Sequence, residues 1–495
     1  MSNRIEQFTS GSSQAAISRE LSKRSPDAEM LAHCYECGTC TAACPVARVF
    51  PGLYNPRVFF NKLSLGLENV LSETGLWICA MCYRCYKRCP HGLKLPEIFL
   101  LLREMTVERG YLPDVLSKLE EILAILGEQF PFPLVYSWLS LRPCEEKPKR
   151  SKLDNYISNF LERSLADYGK REVTPLPKTR KERIAIVGSG PAGLTTAWEL
   201  IRMGFPVTVF EALSEPGGML RVGIPTYRLP KDVVDAEIKY IENLGVEIRT
   251  NTAIGKDLSF RDLLKKEEYK AIFVATGAHK SRKLRVEGED LGGILHAIDL
   301  LRQVNLQRQP RLGERVGVVG GGNTAMDVAR TALQLGAKEV NILYRRSREE
   351  MPASPLEVEE AERNGVKIHF LLMPRKILEK DKQVTAVECI RMRLGSPDES
   401  GRRRPIPIKG SKFTMELDTI LLAIGELPDI FFLPEMVEVT EWNTIAVDPL
   451  TLETSMPGVF AGGDVVSGPA SVIEAIAAGK RAAASIHRYL RRGEV

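Results

Sequence analysis

Cysteine is scarce over most of this 495-residue chain, and where it occurs it is not spread as a disulfide framework requires. Eight of the ten cysteines fall within residues 34–89, and Cys144 and Cys389 have no cysteine close by in sequence. That distribution argues against a disulfide-stapled scaffold and against a dithiol active site in the rest of the chain. A long apolar run is missing too. The nearest, ILAILGEQFPFPLVYSWLSL at 122–141, is broken by Glu128, Gln129, Pro131 and Pro133, which argues against a transmembrane segment. No apolar signal core follows MSNRIEQFTSGSSQ, so a cytoplasmic protein with reduced thiols is expected. Neither sign of charge dominates. A formal net charge of +5 on 495 residues is too small to argue for nucleic acid.

What the chain does contain is a repeat. CYECGTCTAACP at 34–45 returns as CAMCYRCYKRCP at 79–90, each with the form C-x-x-C-x-x-C-x-x-x-C-P. Zinc sites use paired C-x-x-C half-sites separated by a longer loop, which makes two zinc knuckles the weaker reading. Three thiolates at three-residue steps, then a fourth followed by proline, is the run that holds [4Fe–4S] cubes in two-cluster ferredoxins. There the fourth cysteine of each run reaches the other cube. Cys34, Cys37, Cys40 and Cys89 are therefore assigned to one cluster, and Cys79, Cys82, Cys85 and Cys44 to the other. The cations around them (Arg48, Arg84, Lys87, Arg88 and Lys94) either offset cluster charge or dock an acidic partner.

Between the two runs PRVFFNKLSLGLENVLS reads as helix, too long a connection for a minimal ferredoxin hairpin. With its cysteine pattern, the region from about 15 to 112 resembles the C subunit of heterodisulfide reductase and related helical two-cluster carriers. That resemblance implies an electron wire and a partner protein. Residues 113–180 alternate helical periodicity with proline and charge and read as a helical linker.

A different pattern begins at RIAIVGSGPAGLTTAWELIRMGFPVTVFEA. An apolar strand at 184–187 meets Gly188-x-Gly190-x-x-Gly193, with Pro191 and Ala192 opening a helix and Glu211 ending the next strand. The first glycine permits a tight turn, the second lets a pyrophosphate approach the backbone, and the third lets helix and strand pack closely. A carboxylate at Glu211 suits ribose hydroxyls. The unit returns at ERVGVVGGGNTAMDVARTALQLGAKEVNILYRRSREEMPAS, where Gly320, Gly322, Asn323, Thr324 and Ala325 open the helix. No carboxylate ends its second strand. Arg345 and Arg346 stand there instead, favouring a 2′-phosphate and so NADP(H), unless they form surface ion pairs. The first site is assigned to FAD and the second to the diffusible nicotinamide. A later strand leads to Gly462, Gly463 and Asp464, then through Ser471 and Val472 into an alanine-rich helix suited to face a reduced flavin.

GSGPAGL, PGGMLRVGIPTYRLPKDVVDAEI, FVATGA, GGGNTAMDVARTAL, LYRRSREEMPAS and FAGGDVVSGPASVIEAIAAGKRAA resemble the small-subunit family of bacterial glutamate synthase from about Arg183 to Tyr489. The resemblance implies two doubly wound α/β domains, the FAD domain (181–311 and 426–495) interrupted by an NADP(H) domain (312–425). The cluster domain of residues 1–112 precedes them. It also implies Gly217, Gly218 and Met219 near FAD, and Glu350 near the nicotinamide cleft. The regular cysteine runs depart from that family, so its large-subunit partner is not carried over. The expected protein is an NADP(H) oxidoreductase subunit that exchanges electrons with a ferredoxin or partner subunit through FAD and two [4Fe–4S] clusters. It needs no side-chain acid, base or nucleophile. Anaerobically purified protein should hold about eight iron atoms per chain, by metal analysis; zinc with little iron would contradict the cluster assignment.

Overall fold

In the computed structural model the chain divides into two compact units, Met1–Glu172 and Val173–Val495. The structure describes residues 173–491 except 266, 399 and 400. Before them it describes 17, 20, 21, 23, 24, 34, 37–44, 47, 54–65, 67–73, 75–79 and 84–109. The apolar stretch at 122–141 lies outside the described residues. Among the described residues no helix is long and apolar enough to cross a membrane.

The first unit is helical where described. Pro56 starts the Pro56–Ser64 helix behind Asn55, whose side-chain oxygen accepts from Val58 N at 3.4 Å and from the Thr41 hydroxyl at 2.7 Å. The helix expected over 56–72 is interrupted: a separate 3-10 turn covers Glu68–Ser72, and the sequence between the two includes the weak helix former Gly66. Phe59 and Phe60 pack their rings 4.9 and 5.1 Å from Phe99 of the Leu95–Glu108 helix. The link between the cysteine runs is thereby held against the helix that follows the second run. Arg103, buried on that helix, donates to the carbonyls of Leu76 at 3.1 Å and Cys79 at 2.8 Å. Two ends of the repeat are thus tied to one core.

The second unit contains two five-stranded parallel sheets. In the first, β1 (Ile184–Val187) lies between β2 (Val207–Phe210) and β4 (Ala271–Val274). β3 (Glu247–Arg249) and β15 (Val459–Ala461) complete the order β15-β4-β1-β2-β3. All the residues of IAIV, VTVF and AIFV are buried, as expected of strands covered on both faces. Strand order reverses at β1, which opens a crevice beyond the strand ends.

The chain then passes through β5 (Lys280–Ser281) into a second sheet of order β6-β13-β7-β8-β9. Its strands are Ile294–His296, Thr419–Leu422, Arg315–Val319, Glu339–Tyr344 and Lys367–Phe370. It returns through β14 (Glu426–Leu427), antiparallel to β5, before β15 closes the first sheet. The second fold therefore interrupts the first. Ile294–His296, read from sequence as part of the first fold, pairs in the second sheet. A three-stranded antiparallel sheet that the sequence reading did not foresee is inserted as well: β10 (Leu372–Lys380), β11 (Gln383–Pro397) and β12 (Arg403–Glu416). The two nucleotide folds meet at Arg228, which donates to Asp327 at 2.6 Å and lies 3.3 Å from Glu357, both carboxylates buried.

Candidate functional site

At the end of β1 the backbone turns through Gly188, whose φ of +105° suits glycine. A Cβ on Gly193 would lie 2.0 Å from the Gly188 carbonyl oxygen, so strand and helix meet with no room for a side chain. Gly190 differs: a Cβ there meets nothing within 4 Å and would project into open space at the N-terminus of the Pro191–Arg202 helix. That pattern fits a phosphate held against bare backbone. The loop opens on a cleft of about 440 Å³ lined by Gly188, Gly190, Pro191, Ala192, Glu211, Gly218, Met219, Gly463, Asp464, Ser471 and Val472. Gly193 and Gly217 are not in the lining and pack behind it, Gly217 against Arg221, Val234 and Ile238.

Glu211 is buried and accepts from Ser189 N at 3.0 Å, from the Ser189 hydroxyl, and from Leu213 N at 2.9 Å. Gly217 N donates to the same hydroxyl at 3.0 Å, so Ser189, missed in the sequence, ties the glycine turn to Glu211. Across the cleft, burial pushes the Asp464 carboxyl up to about 6. Ser471 and Glu474 cap the Val472–Arg491 helix: Ser471 N donates to Glu474 at 2.8 Å and Glu474 N to the Ser471 hydroxyl at 3.3 Å. Its first turn lines the cleft. Thr276, His279 and Arg302 line it too, and sequence reasoning named none of them, although FVATGA already held Thr276.

The second turn repeats the first. Gly320 has φ +144° and its Cβ would strike the Ala423 carbonyl oxygen at 2.2 Å, whereas a Cβ on Gly322 meets nothing within 4 Å. Thr324 lies in the first turn of the Asn323–Gln334 helix and Ala325 is buried under it. Asn323, expected among the nucleotide contacts, has its side-chain oxygen 3.1 Å from Ser354 N, from which it accepts. The two arginines part company. Arg346 is buried, donating to Asp398 at 2.6 Å and to the Arg403 carbonyl at 2.8 Å. Arg345 is exposed and makes no side-chain hydrogen bond or ion pair among the described residues. Glu350 is buried in a capping box with Ser347 and is held by Arg403, so it braces this loop.

In the first unit, Cys34, Cys37, Cys40 and Cys89 line one cavity, with His91 and Arg57 beside them. Cys44 and Cys79 are buried, and Cys44 sulfur accepts from Ala47 N at 3.4 Å. The buried Tyr54 phenol stands close to Cys79, Cys44 and Cys85, and burial followed by those thiols raises its pKa. Cys82, and the side chains of Arg84 and Lys87, lie outside the described residues, as does Arg48. Arg88 and Lys94 are exposed. Among the described residues no three potential metal ligands stand close enough to hold a single ion. The two groupings, each rich in thiols and poor in carboxylates, fit the donor set of iron–sulfur clusters. Cys389 belongs to the second unit: it is buried on β11, and burial pushes its thiol up to about 12.

Residues 182–479 match the family described as pyridine nucleotide-disulphide oxidoreductase. The chain belongs to that family. Residues 30–93 match the 4Fe-4S dicluster domain. The chain is 43% identical over 438 residues to the NADP(+)-dependent formate dehydrogenase subunit beta of Moorella thermoacetica, covering 83% of this chain and 60% of that one. It is 40% identical over 444 residues to the NADPH-Fe(3+) oxidoreductase subunit beta of Geobacter sulfurreducens, covering 83% and 64%. The alignment thus spans under two thirds of the length of both relatives. With the glutamate synthase [NADPH] small chain of Azospirillum brasilense it shares 40% identity over 82% of this chain and 86% of that one. The fold resembles Mycobacterium tuberculosis FprA in complex with NADPH, with a TM-score of 0.56 at 22% identity over 64% of this chain and 86% of that chain. The chain therefore carries an FAD/NADP-binding α/β fold and a two-cluster domain.

Replacing Cys89 by Ser should alter the paramagnetic signature of the cluster assigned to the first cysteine run, and Cys44→Ser that of the second. If each substitution disturbs only the cluster of its own run, the crosswise arrangement is wrong.

Proposed function

We propose that this chain is the electron-input subunit of an NADPH-dependent complex, passing electrons between NADP(H) and a partner protein. The observation that carries the reading is the joining, in one chain, of two glycine turns that leave open backbone at a helix N-terminus with two sequence runs of four cysteines. Bound FAD supplies hydride exchange with a nicotinamide and single-electron exchange with an iron–sulfur cluster. The chain's own residues bind and orient. Gly188, Gly190 and the first amides of the Pro191–Arg202 helix receive one pyrophosphate, Ser189 holds Glu211 toward the ribose, and Asp464 faces them across the cleft. Gly320, Gly322 and the Asn323–Gln334 helix receive the second dinucleotide.

The 2′-phosphate falls to Arg345, with Arg346 held behind it by Asp398 as a brace. The eight cysteines divide into Cys34, Cys37, Cys40 and Cys89 against Cys79, Cys82, Cys85 and Cys44. No side chain is assigned an acid, base or nucleophilic role. The partner is a ferredoxin or a redox subunit, the kind of assembly that the names of the Moorella and Geobacter relatives describe. The 86% coverage of the Azospirillum small chain supports a second reading, electron input to a glutamate-forming subunit. Glutamine-dependent glutamate production on adding such a subunit would select it.

Anaerobic full-length protein should reduce a viologen dye with NADPH, and a loaded protein that cannot do so contradicts the proposal. A charge-assisted hydrogen bond contributes about 1.5–3 kcal/mol, so Arg345→Ala should raise the KM for NADPH ~10- to 100-fold and leave NADH almost unchanged. Equal losses for both coenzymes would contradict the phosphate role.

A further inference from the structure

Arg302 stands on the Ala297–Asn305 helix, directly after β6, and so belongs to the second nucleotide fold. Its side chain nevertheless lines the cleft of the first fold. Among the described residues of that lining, it alone comes from the span 294–422. Nη1 holds Asp299 at 2.9 Å on the same helix, and Nη2 lies 3.4 Å from Nδ1 of His279. A guanidinium can only donate, so Nδ1 accepts and the imidazole carries its proton on Nε2. Burial, and then the charge of Arg302, pushes His279 down to about 4, so the ring is neutral at pH 7. Nε of Arg302 and the hydroxyl of Thr276 are buried without a hydrogen-bond partner among the described residues. A buried donor left unpaired is costly, a cost that a bound acceptor removes.

Location indicates which part of a dinucleotide this wall meets. Hydride passes between atoms about 3–3.5 Å apart, so an FAD bound in this cleft would lie with its ring toward the second fold. Glu211 and Thr252, at the β2 and β3 side of the cleft, mark the opposite, ribose-binding end. Lys280, another cation of the lining, is exposed and turned to Asp429 at 3.8 Å.

Resting on the reading of this cleft as the FAD site, we propose that Arg302 tunes the flavin. Held by Asp299 and His279, its positive charge faces the isoalloxazine end and stabilises the negative charge that reduction places there. Arg302 and His279 are 23 positions apart with no motif linking them, and it is the passage of the chain from β5 into the second fold that brings them together.

The test is a spectroelectrochemical titration of flavin in full-length Arg302→Gln, Arg302→Lys and His279→Gln, alongside FAD affinity. Arg302→Gln should bind reduced FAD at least about tenfold more weakly relative to oxidised FAD, a fall of ~30 mV for the two-electron couple. Arg302→Lys should restore most of that shift, and His279→Gln should move the potential in the same sense by less. If Arg302→Gln weakens both redox forms equally and the potential stays put, the charge meets the pyrophosphate and the proposal is overturned. A potential unmoved in all variants, with FAD affinity intact, overturns it as well. Wild-type protein that takes up no FAD would instead strike the reading of the cleft itself.

Discussion

A pyrophosphate can lie against a protein backbone only where no side chain stands, and that constraint organises the second unit. At each of two strand ends the same division of labour appears. One glycine makes the turn, a second leaves open space at a helix N-terminus, and a small residue lets the helix settle on its strand. A Cβ at Gly188 or Gly320 would meet a neighbouring carbonyl within 2.4 Å, whereas one at Gly190 or Gly322 would meet nothing. The first kind of glycine serves packing and the second leaves room for a ligand. The parallel strands behind them are buried on both faces, so the turns are held by a rigid support rather than by the loop itself.

This organisation was legible because it is local. Strand, turn, helix and strand occur within about thirty residues, and the apolar runs at 184–187 and 207–210 announce their period directly. The cysteine runs were legible for the same reason. What escaped notice depends on contacts between distant segments. Arg345 and Arg346 are adjacent and chemically identical in sequence. The β11–β12 hairpin, more than fifty positions on, brings Asp398 to one and not to the other. Ser189 is one more residue inside a glycine motif in the sequence, whereas in the fold its hydroxyl lies between Gly217 N and Glu211. The inserted antiparallel sheet has no motif to announce it, and the three strands, Leu372–Lys380, Gln383–Pro397 and Arg403–Glu416, are recognised only by their pairing.

Joining a helical cysteine unit to paired nucleotide folds has a physical logic. A nicotinamide gives up its electrons as a pair, whereas a cluster of iron and sulfide takes them one at a time. A protein that joins the two kinds of carrier supplies binding, orientation and electrostatics to its redox groups. Glu211 is buried beside the first glycine turn, and a buried arginine holds the carbonyl of Cys79. Asp327 and Glu357 fasten Arg228 at the meeting of the two folds.

The central claim is that reducing equivalents accepted from NADPH at the nucleotide cleft reach the cysteine-bound clusters of the same chain. The most direct measurement mixes anaerobic full-length protein with NADPH, follows the flavin absorbance, and freezes samples in sequence for paramagnetic resonance. The account predicts loss of the oxidised flavin band followed by reduced-cluster signals, without any added mediator. Flavin reduction that leaves both clusters oxidised, when a chemical reductant of the same potential reduces them, would contradict it.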